Sequence, residues 1–390
     1  MSQYRNHYKI NEIVNLAFRV LQIRGYPEES AKATAHALLE ADKRGIFSHG
    51  LAGGAGLEEA ANISGLFSTV NPKATPEILP QKYPTLAVID AHSAPGHITS
   101  IKAVELVKKL ARQSGFAKVI VKEANHFGAA GVWSEMIAQE LDLIGIVTCT
   151  TSALAKVMGD DPIGLDYTKG AGKELRLGTN PIAISIPYTK GILTLDMACT
   201  RMAANYCIKA YKTGEMLTIP EYVADKNYQS TLNPKDFIEI IDGKQVISGS
   251  IFPLGSTLAG YKGDALLRMI EIDHSIGGGP ISKVSPSPTS PRISLMFQAQ
   301  IIDFHYTKNE ALQRVKELMQ DYEENYFGSA SRWPGERAQK ALEYSMKEGI
   351  PYHQGQIDML KRAAKKAGLD FNNLVHSLGD KPYPTEIFKK

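Results

Sequence analysis

The feature that most constrains the fold is an alternation of apolar runs and helical patterns between residues 85 and 150. The run TLAVIDA precedes a helical pattern at about residues 98–113, and AKVIVKE precedes a second one at residues 132–141. A third apolar run, LIGIVTCT, closes the region. Short apolar runs are typical of buried strands, so this part of the chain predicts an α/β sandwich.

Amphipathic helices are predicted on both sides of this region. Residues 11–23 place Ile13, Ala17 and Val20 on one helical face, and Pro27 opens a second helix. The tail from about residue 309 contains further amphipathic patterns. A chain of 390 residues is long enough for roughly two or three domains.

Charge and cysteine content exclude several classes of protein. A formal net charge of +3 is too small for non-specific binding to polyanions, so no nucleic-acid partner is expected. Cys149, Cys199 and Cys207 are too few and too irregularly spaced for a disulfide framework, which favours reduced thiols and a cytoplasmic location. No segment approaches the ~18 apolar residues that span a bilayer, so no membrane partner is expected.

Several catalytic and nucleotide-binding motifs are absent from the sequence. No strand is followed by GxGxxG, which argues against a Rossmann dinucleotide site. There is no HExxH, no GxSxG and no carboxylate cluster with metal-loop spacing, and the ten histidines are scattered. We therefore expect no bound metal.

Three segments place polar chemistry beside glycines at the ends of apolar elements. They are RGIFSHG at residues 44–50, NHFGAAG at residues 125–131, and LGTNPIAISIP with LTLDMA at residues 177–187 and 193–198. Histidine suits proton transfer because its unperturbed pKa of ~6.5 lies near neutral pH. Taken singly, however, either loop histidine is more typical of structural capping.

Taken together, these segments resemble the type 2 malate/L-lactate dehydrogenase family, also described as sulfolactate dehydrogenase-like. That family shares an RGxxSHG segment, an HFG or HSG segment, LGTNPIA, LDMA, PLGG…GYKGYG and a late PGE. The matching residues follow in the same order, from about residue 10 to about residue 369: Arg44–Gly50, His126–Gly128, Leu177–Pro181, Leu195–Ala198, Pro253–Gly255 with Gly260–Gly263, and Pro334–Glu336.

The resemblance implies an α/β fold that is not Rossmann, with a largely antiparallel nicotinamide-binding sheet and a helical domain built from both termini. The implied division is residues 1–120 with 310–390, and residues 121–309 as the NAD(P)-binding domain with a small inserted subdomain. It also implies a homodimer that uses NAD or NADP on a small 2-hydroxy or 2-oxo acid or a cyclic imino acid. No metal is needed for hydride transfer to or from a nicotinamide ring.

Roles for individual residues follow from the same resemblance. His126 matches the proton acceptor and His49 a second acid/base or substrate-binding histidine. The remaining predicted contacts are Ser48, Thr179 and Asn180 to the substrate, and Thr151, Gly178, Asp196, Met197, Ala198, Lys262 and Arg292 to the cofactor. Some structural alternatives stay open: a capping carboxylate for Asp196, and solvated cations for Lys262 and Arg292. Arg44 is expected to be an ion-pair partner.

One departure from the family pattern concerns substrate recognition. Family members carry an arginine four residues after the SHG histidine, and in this chain that position is Gly53. Losing a bidentate partner for a carboxylate should cost on the order of 1.5–3 kcal/mol. The sequence therefore favours an enzyme with an atypical substrate. The alternative is a homologue that retains the fold as a nucleotide-binding or structural protein without this catalysis.

Overall fold

The computed structural model describes residues 4–64, 67, 69–151, 153–156, 175–241, 244–278, 293–325 and 332–388. The chain divides into two units. Unit 1 consists of Met1–Val147, Ala183–Asp196 and Phe297–Lys390, and unit 2 of Thr148–Ile182 and Met197–Met296. The division into residues 1–120 with 310–390 and residues 121–309 stays a prediction.

The helices of the described residues range from a single turn to about six turns. In chain order they are α1 (Ile10–Ile23), α2 (Glu28–Lys43), α3 (Leu57–Asn62), α4 (Gly96–Ser114), α5 (Ala130–Ala138), α6 (Asn205–Thr213), α7 (Ser256–Ile276), α8 (Lys308–Asn325), α9 (Glu336–Glu348), α10 (Gln354–Lys366) and α11 (Thr385–Phe388).

The described strands are mostly short. They are β1 (Tyr4–Tyr8), β2 (Glu77–Ile78), β3 (Leu86–Asp90), β4 (Phe116–Ala124), β5 (Leu143–Thr150), β6 (Ala155–Lys156), β7 (Leu175–Leu177), β8 (Ile182–Tyr188), β9 (Gly191–Met197), β10 (Val223–Ala224), β11 (Ser230–Thr231), β12 (Ile238–Ile241), β13 (Lys244–Ile247), β14 (Ser250–Ile251), β15 (Ile293–Ile301), β16 (Ile350–Tyr352) and β17 (Ser377–Pro382).

The predicted alternation of strands and helices is confirmed, but it does not wind into a parallel sheet. The three apolar runs form β3, β4 and β5, and the two helical patterns form α4 and α5. In the seven-stranded sheet, with order β2-β3-β4-β15-β5-β8-β9, a distant strand lies between β4 and β5. β3 and β4 pair in parallel, whereas β2 and β3 are antiparallel. This arrangement confirms an α/β fold that is not Rossmann.

The two ends of the chain share one hydrophobic core in unit 1. Buried residues of α1 and α2, among them Leu16 and Leu38, pack in the same cluster as Tyr352 and Leu360. Beside this cluster, β1 pairs antiparallel with β16 on one edge and with β17 on the other. Sequence periodicity alone predicts the helices but not this pairing, because the partner strands are more than 340 residues apart.

Unit 2 is built around α7 and short antiparallel strands. The inner face of α7 contributes Leu267 and Ile270 to a cluster with Leu177 and Cys199. A separate cluster contains residues of α6 and β12. The described pairings in this unit, β6 with β7, β10 with β11 and β14, and β12 with β13, are antiparallel.

The described part of the chain contains neither a membrane-spanning helix nor a metal-binding group. No helix there combines the length and apolar character needed to cross a membrane. Nor do three or more His, Cys, Asp or Glu side chains within the described ranges form a group that could hold a metal ion.

Candidate active site

The SHG segment follows α2 and lies in one 3-10 turn, Phe47–His49. Asp42 of α2 supports it through hydrogen bonds. The buried Asp42 carboxyl accepts hydrogen bonds at Oδ2 from the Leu51 N–H at 2.9 Å and the Tyr352 hydroxyl at 2.6 Å. A Cβ on Gly50 would lie 1.7 Å from Asp42 Oδ1, so glycine is required there. These contacts fix the loop that carries the first predicted histidine.

The second predicted histidine, His126, lies in a tightly packed loop after β4. The neighbouring Asn125 amide donates to the Ser93 carbonyl oxygen at 2.9 Å. A Cβ on Gly96, the first residue of α4, would lie 2.2 Å from the Asn125 carbonyl oxygen and 2.5 Å from that of His126. Gly128, at φ +83°, directs its N–H toward His126 Nδ1 at 3.4 Å. The loop is thus positioned by close backbone contacts.

The two predicted catalytic histidines lie next to each other in unit 1. Their rings stack with centroids 5.9 Å apart and planes 10° apart. His97 approaches His126 edge-on at 6.1 Å, and Phe67 lies 5.3 Å from His126. The Ser48 hydroxyl is 2.9 Å from His49 Nδ1. The result is a compact imidazole cluster, His49, His97 and His126, enclosed on one side by an aromatic ring.

Burial keeps two of these imidazoles neutral. The pKa of His126 lies well below 6.5, first because burial penalises the charged ring and second because His49 and His97 are close. Burial alone lowers the pKa of His97 to about 3, and its ring nitrogens have no hydrogen-bond partner within the described residues. A neutral His126 at pH 7 has the protonation state needed to accept a proton.

Asp196 lies at the C-terminal end of β9 in the same unit. A Cβ on Gly131 would lie 2.8 Å from Asp196 Oδ2, so the carboxylate lies against the first turn of α5. The positive end of the helix dipole favours an anion at this place. This geometry suits the capping alternative, and the cofactor contact stays a prediction.

Arg44, the first residue of RGIFSHG, is an ion-pair partner as predicted. Its guanidinium pairs with Glu40, one turn earlier in α2, and with Glu135 of α5 at 2.8 Å. The side chain is only 13% exposed. Arg44 therefore ties the SHG loop to the helix that follows the His126 loop.

Gly53 is enclosed by backbone atoms. A Cβ at this position would lie 2.6 Å from the Phe47 carbonyl oxygen and 2.8 Å from that of Ser48. Because backbone cannot swing aside as a flexible side chain can, even alanine requires the loop to shift. The local packing thus excludes an arginine at position 53 in this loop conformation.

In unit 2, the LGTNP segment forms a hydrogen-bonded turn around Thr151. The Thr179 N–H donates to Thr151 Oγ1 at 2.9 Å, and Asn180 Oδ1 accepts from the Thr151 N–H at 3.2 Å. The Asn180 amide donates to the Leu267 carbonyl oxygen at 3.1 Å and to Glu271 at 3.0 Å. A Cβ on Gly178 would lie 2.2 Å from Thr151 Oγ1. Four predicted site residues, Thr151, Gly178, Thr179 and Asn180, are therefore brought together.

The other predicted cofactor residues are more dispersed. Met197 and Ala198 are half-buried directly after the β9 aspartate. Lys262 is exposed on α7, with its ammonium 5.8 Å from the Tyr261 ring centroid. Arg292 lies outside the described residues. For all of these residues, contact with a cofactor stays a prediction.

Sequence reasoning missed several residues that build these clusters. In the sequence, Asp42 is one polar residue of α2 among several, and His97 is a single histidine near the start of α4. Glu271 supports the LGTNP turn from a helix more than 90 residues further along the chain. No local pattern marks them, because each acquires its role through a partner distant in sequence.

The motif order agrees with comparisons to known proteins. The sequence pattern of the malate/L-lactate dehydrogenase family matches residues 8–361. L-sulfolactate dehydrogenase of Methanocaldococcus jannaschii is 32% identical over 368 residues, covering 92% of this chain and 97% of the relative. Malate dehydrogenase of Pyrococcus abyssi is 30% identical over 375 residues, covering 92% and 94%.

Solved structures give the same result for the fold. Sulfolactate dehydrogenase from Methanocaldococcus jannaschii superposes with a TM-score of 0.75 at 28% identity, covering 94% of this chain and 99% of that one. Malate dehydrogenase from Pyrococcus horikoshii has a TM-score of 0.77 at 24% identity, covering 95% and 97%, and supports the fold alone. The predicted non-Rossmann, sulfolactate dehydrogenase-like fold is thus confirmed, and the chain belongs to the malate/L-lactate dehydrogenase family.

Proposed function

We propose that this dehydrogenase transfers a hydride between NAD or NADP and a small 2-hydroxy or 2-oxo acid, or a cyclic imino acid. Family membership supports a nicotinamide-dependent oxidoreductase. The relatives named for sulfolactate, malate and 2,3-diketo-L-gulonate support a hydroxy or oxo acid. The cyclic imino acid comes from the motif resemblance alone.

The observation that carries the proposal is the stacked pair of His49 and His126. As a hydroxy acid is oxidised, the neutral His126 imidazole accepts the hydroxyl proton while the C2–H bond breaks and its hydride departs. In the reverse direction, protonated His126 returns that proton to the oxygen. His49, beside it at 5.9 Å, stabilises or orients the substrate oxygen. No metal is invoked, because NAD(P) supplies or takes up the hydride when bound.

Residues of unit 2 fit a nicotinamide dinucleotide. The Thr151–Thr179 turn presents hydroxyls and closely packed backbone, and Gly178 has space for no side chain. Lys262 offers an accessible ammonium on α7, of the kind that pairs with a phosphate. We assign Thr179 and Asn180 to the substrate and nicotinamide region. Thr151, Gly178, Met197, Ala198 and Lys262 are assigned to the cofactor.

Substrate recognition is proposed to differ from the family pattern at Gly53. Packing against the Phe47 and Ser48 carbonyls excludes a carboxylate-binding arginine there. A substrate carboxylate would then need another donor, or the substrate would bind through other polar groups. The same observation favours the second candidate, a nucleotide-binding homologue that has lost this catalysis.

Assembly and location complete the proposal. We infer a homodimer, as the motif resemblance implies, and a cytoplasmic location. The buried, unpaired thiols of Cys149, Cys199 and Cys207 support a reducing compartment.

The test is nucleotide binding followed by turnover. Quenching of protein fluorescence by NADH and by NADPH reports binding, and a panel of 2-oxo acids and cyclic imines is then followed at the nicotinamide absorbance. Turnover of a panel member supports the enzyme. Tight nucleotide binding without any turnover favours the second candidate, and failure of both nucleotides to bind overturns the cofactor assignment.

A further inference from the structure

The side chain of Asn180 joins the LGTNP turn to helix α7. It is fully buried, and its amide nitrogen donates to the Leu267 carbonyl oxygen at 3.1 Å and to Glu271 Oε2 at 3.0 Å. Its amide oxygen accepts from the Thr151 N–H at 3.2 Å. Because the two donors and the oxygen of this amide all have partners inside unit 2, the position of the turn depends on the groups that α7 presents to Asn180.

Glu271 brings a negative charge to this junction. It lies one turn after Leu267 on the inner face of α7 and is half-buried. Burial raises the pKa of Glu271 above its ordinary value, and the Asn180 hydrogen bond offsets part of that rise. A carboxylate that loses water is normally paired with a cation. In the described part of the chain Glu271 has no cationic partner, since the guanidinium of Arg268, three residues earlier, pairs with Asp264.

The charge of Glu271 acts on both segments that form the LGTNP site. Burial raises the pKa of the Cys149 thiol, and the nearby Glu271 carboxylate raises it further. Cys149 lies in β5 two residues before Thr151, and its N–H donates to the Pro181 carbonyl oxygen at 3.3 Å. The negative potential of the carboxylate therefore extends over the end of β5 and over the LGTNP turn, in a place where little water screens it.

A charge at this place distinguishes the two redox forms of a nicotinamide. The ring carries a positive charge in NAD⁺ and NADP⁺ and none in NADH and NADPH, so a carboxylate behind the turn attracts only the oxidised ring. We propose that Glu271 has two roles: it positions the LGTNP turn through Asn180, and its charge favours binding of the oxidised nucleotide. This inference rests on the proposed function, which assigns the turn to the nicotinamide region, and adds a residue that responds to the redox state of the cofactor.

Calorimetric titration of the full chain with NAD⁺ and NADH, and with NADP⁺ and NADPH, measures both affinities without turnover. Glu271→Gln keeps the length of the side chain and an oxygen for the Asn180 hydrogen bond, but it removes the charge. It should weaken binding of the oxidised nucleotide about 5-fold relative to the reduced one. Glu215→Gln is the matched control, because Glu215 is exposed in unit 2 and its substitution should leave the ratio of the two affinities unchanged.

Glu271→Asp separates the charge from the positioning of the turn. The shorter side chain keeps the charge but no longer reaches Asn180, so both nucleotides should bind several-fold more weakly with nearly the same ratio. An equal loss of both forms in Glu271→Gln, or no loss, overturns the inference, as does a Glu271→Asp ratio as low as that of Glu271→Gln. If neither form binds the unaltered protein, the cofactor assignment fails and this inference with it. Tight binding of both forms with an unchanged ratio contradicts this inference alone.

Discussion

Replacing Asp42 with asparagine should make the stability of the protein less dependent on pH. The Asp42 carboxyl is fully buried beneath the SHG loop, and burial raises its pKa from 3.8 to about 7. Its Oδ2 accepts two hydrogen bonds, whereas Oδ1 has no partner within the described residues. An asparagine oxygen can accept the same two hydrogen bonds without ever carrying a charge.

The direction in which pH changes the free energy of unfolding follows from the proton that Asp42 binds in the folded chain. Between about pH 4 and pH 7 the folded chain holds the Asp42 proton and the unfolded chain releases it, so the free energy of unfolding falls as pH rises through this window. About three pKa units at 1.36 kcal/mol each give a cost of ~4 kcal/mol, complete above pH 7. Asp42→Asn should match the unaltered protein within ~1 kcal/mol near pH 4 and exceed it by about 2–4 kcal/mol at pH 8.

Urea unfolding at a fixed protein concentration, followed by tryptophan fluorescence at pH 4.5 and pH 8.5, measures this difference. Asp303→Asn is the matched control, because Asp303 is exposed and the same substitution there should leave the pH dependence unchanged. An advantage of Asp42→Asn that is equal at both pH values would refute the reasoning. It would mean that Asp42 keeps its charge in the folded chain.

Four further predictions concern the site. His126→Ala should reduce turnover at least ~100-fold with nearly unchanged nucleotide affinity, measured by steady-state kinetics and fluorescence quenching; unchanged turnover removes His126 from proton transfer. Because the pKa of His126 lies well below 6.5, kcat/KM for oxidation should stay level as pH falls through 6.5. His49→Gln removes one cause of the lowered pKa, so the fall of kcat/KM on the acid side of the pH-rate profile should shift to higher pH. Gly53→Ala should cost ~1–3 kcal/mol in urea unfolding, because its Cβ meets backbone carbonyls; an unchanged free energy of unfolding would contradict this. Asn180→Ala should lower the unfolding free energy by ~2–4 kcal/mol through lost buried hydrogen bonds, and an unchanged thermal midpoint would contradict this.

Local patterns predicted the elements but not their arrangement in the sheet. The apolar runs at residues 85–150 form β3, β4 and β5. They could be predicted because a buried strand is marked by the apolar character of its own residues. The position of β15 between β4 and β5 depends on pairing with a strand about 150 residues away, which periodicity does not encode. Only the resemblance in motif order indicated the antiparallel character of the sheet.

At the site too, residues in local motifs could be predicted from the sequence, whereas contacts between distant residues could not. The glycine-flanked histidines were visible in the sequence, and the structure brings His49 and His126 together as a stacked pair. His97, which adds a buried imidazole beside His126, could not be predicted, because one histidine in a helix forms no pattern. The neutral state of His126 depends on that burial, so its chemistry could not be read from its own loop.

The two enclosed glycines of the SHG loop make different contacts. Gly50 leaves space for the Asp42 carboxyl, which holds the loop through Leu51. Gly53 instead leaves space for the carbonyl oxygens of the turn that carries His49. A side chain at the first position would displace the support of the histidine, whereas one at the second would displace the turn itself. The loop can therefore hold His49 in place without a side chain at position 53, which is consistent with the proposed change of substrate recognition.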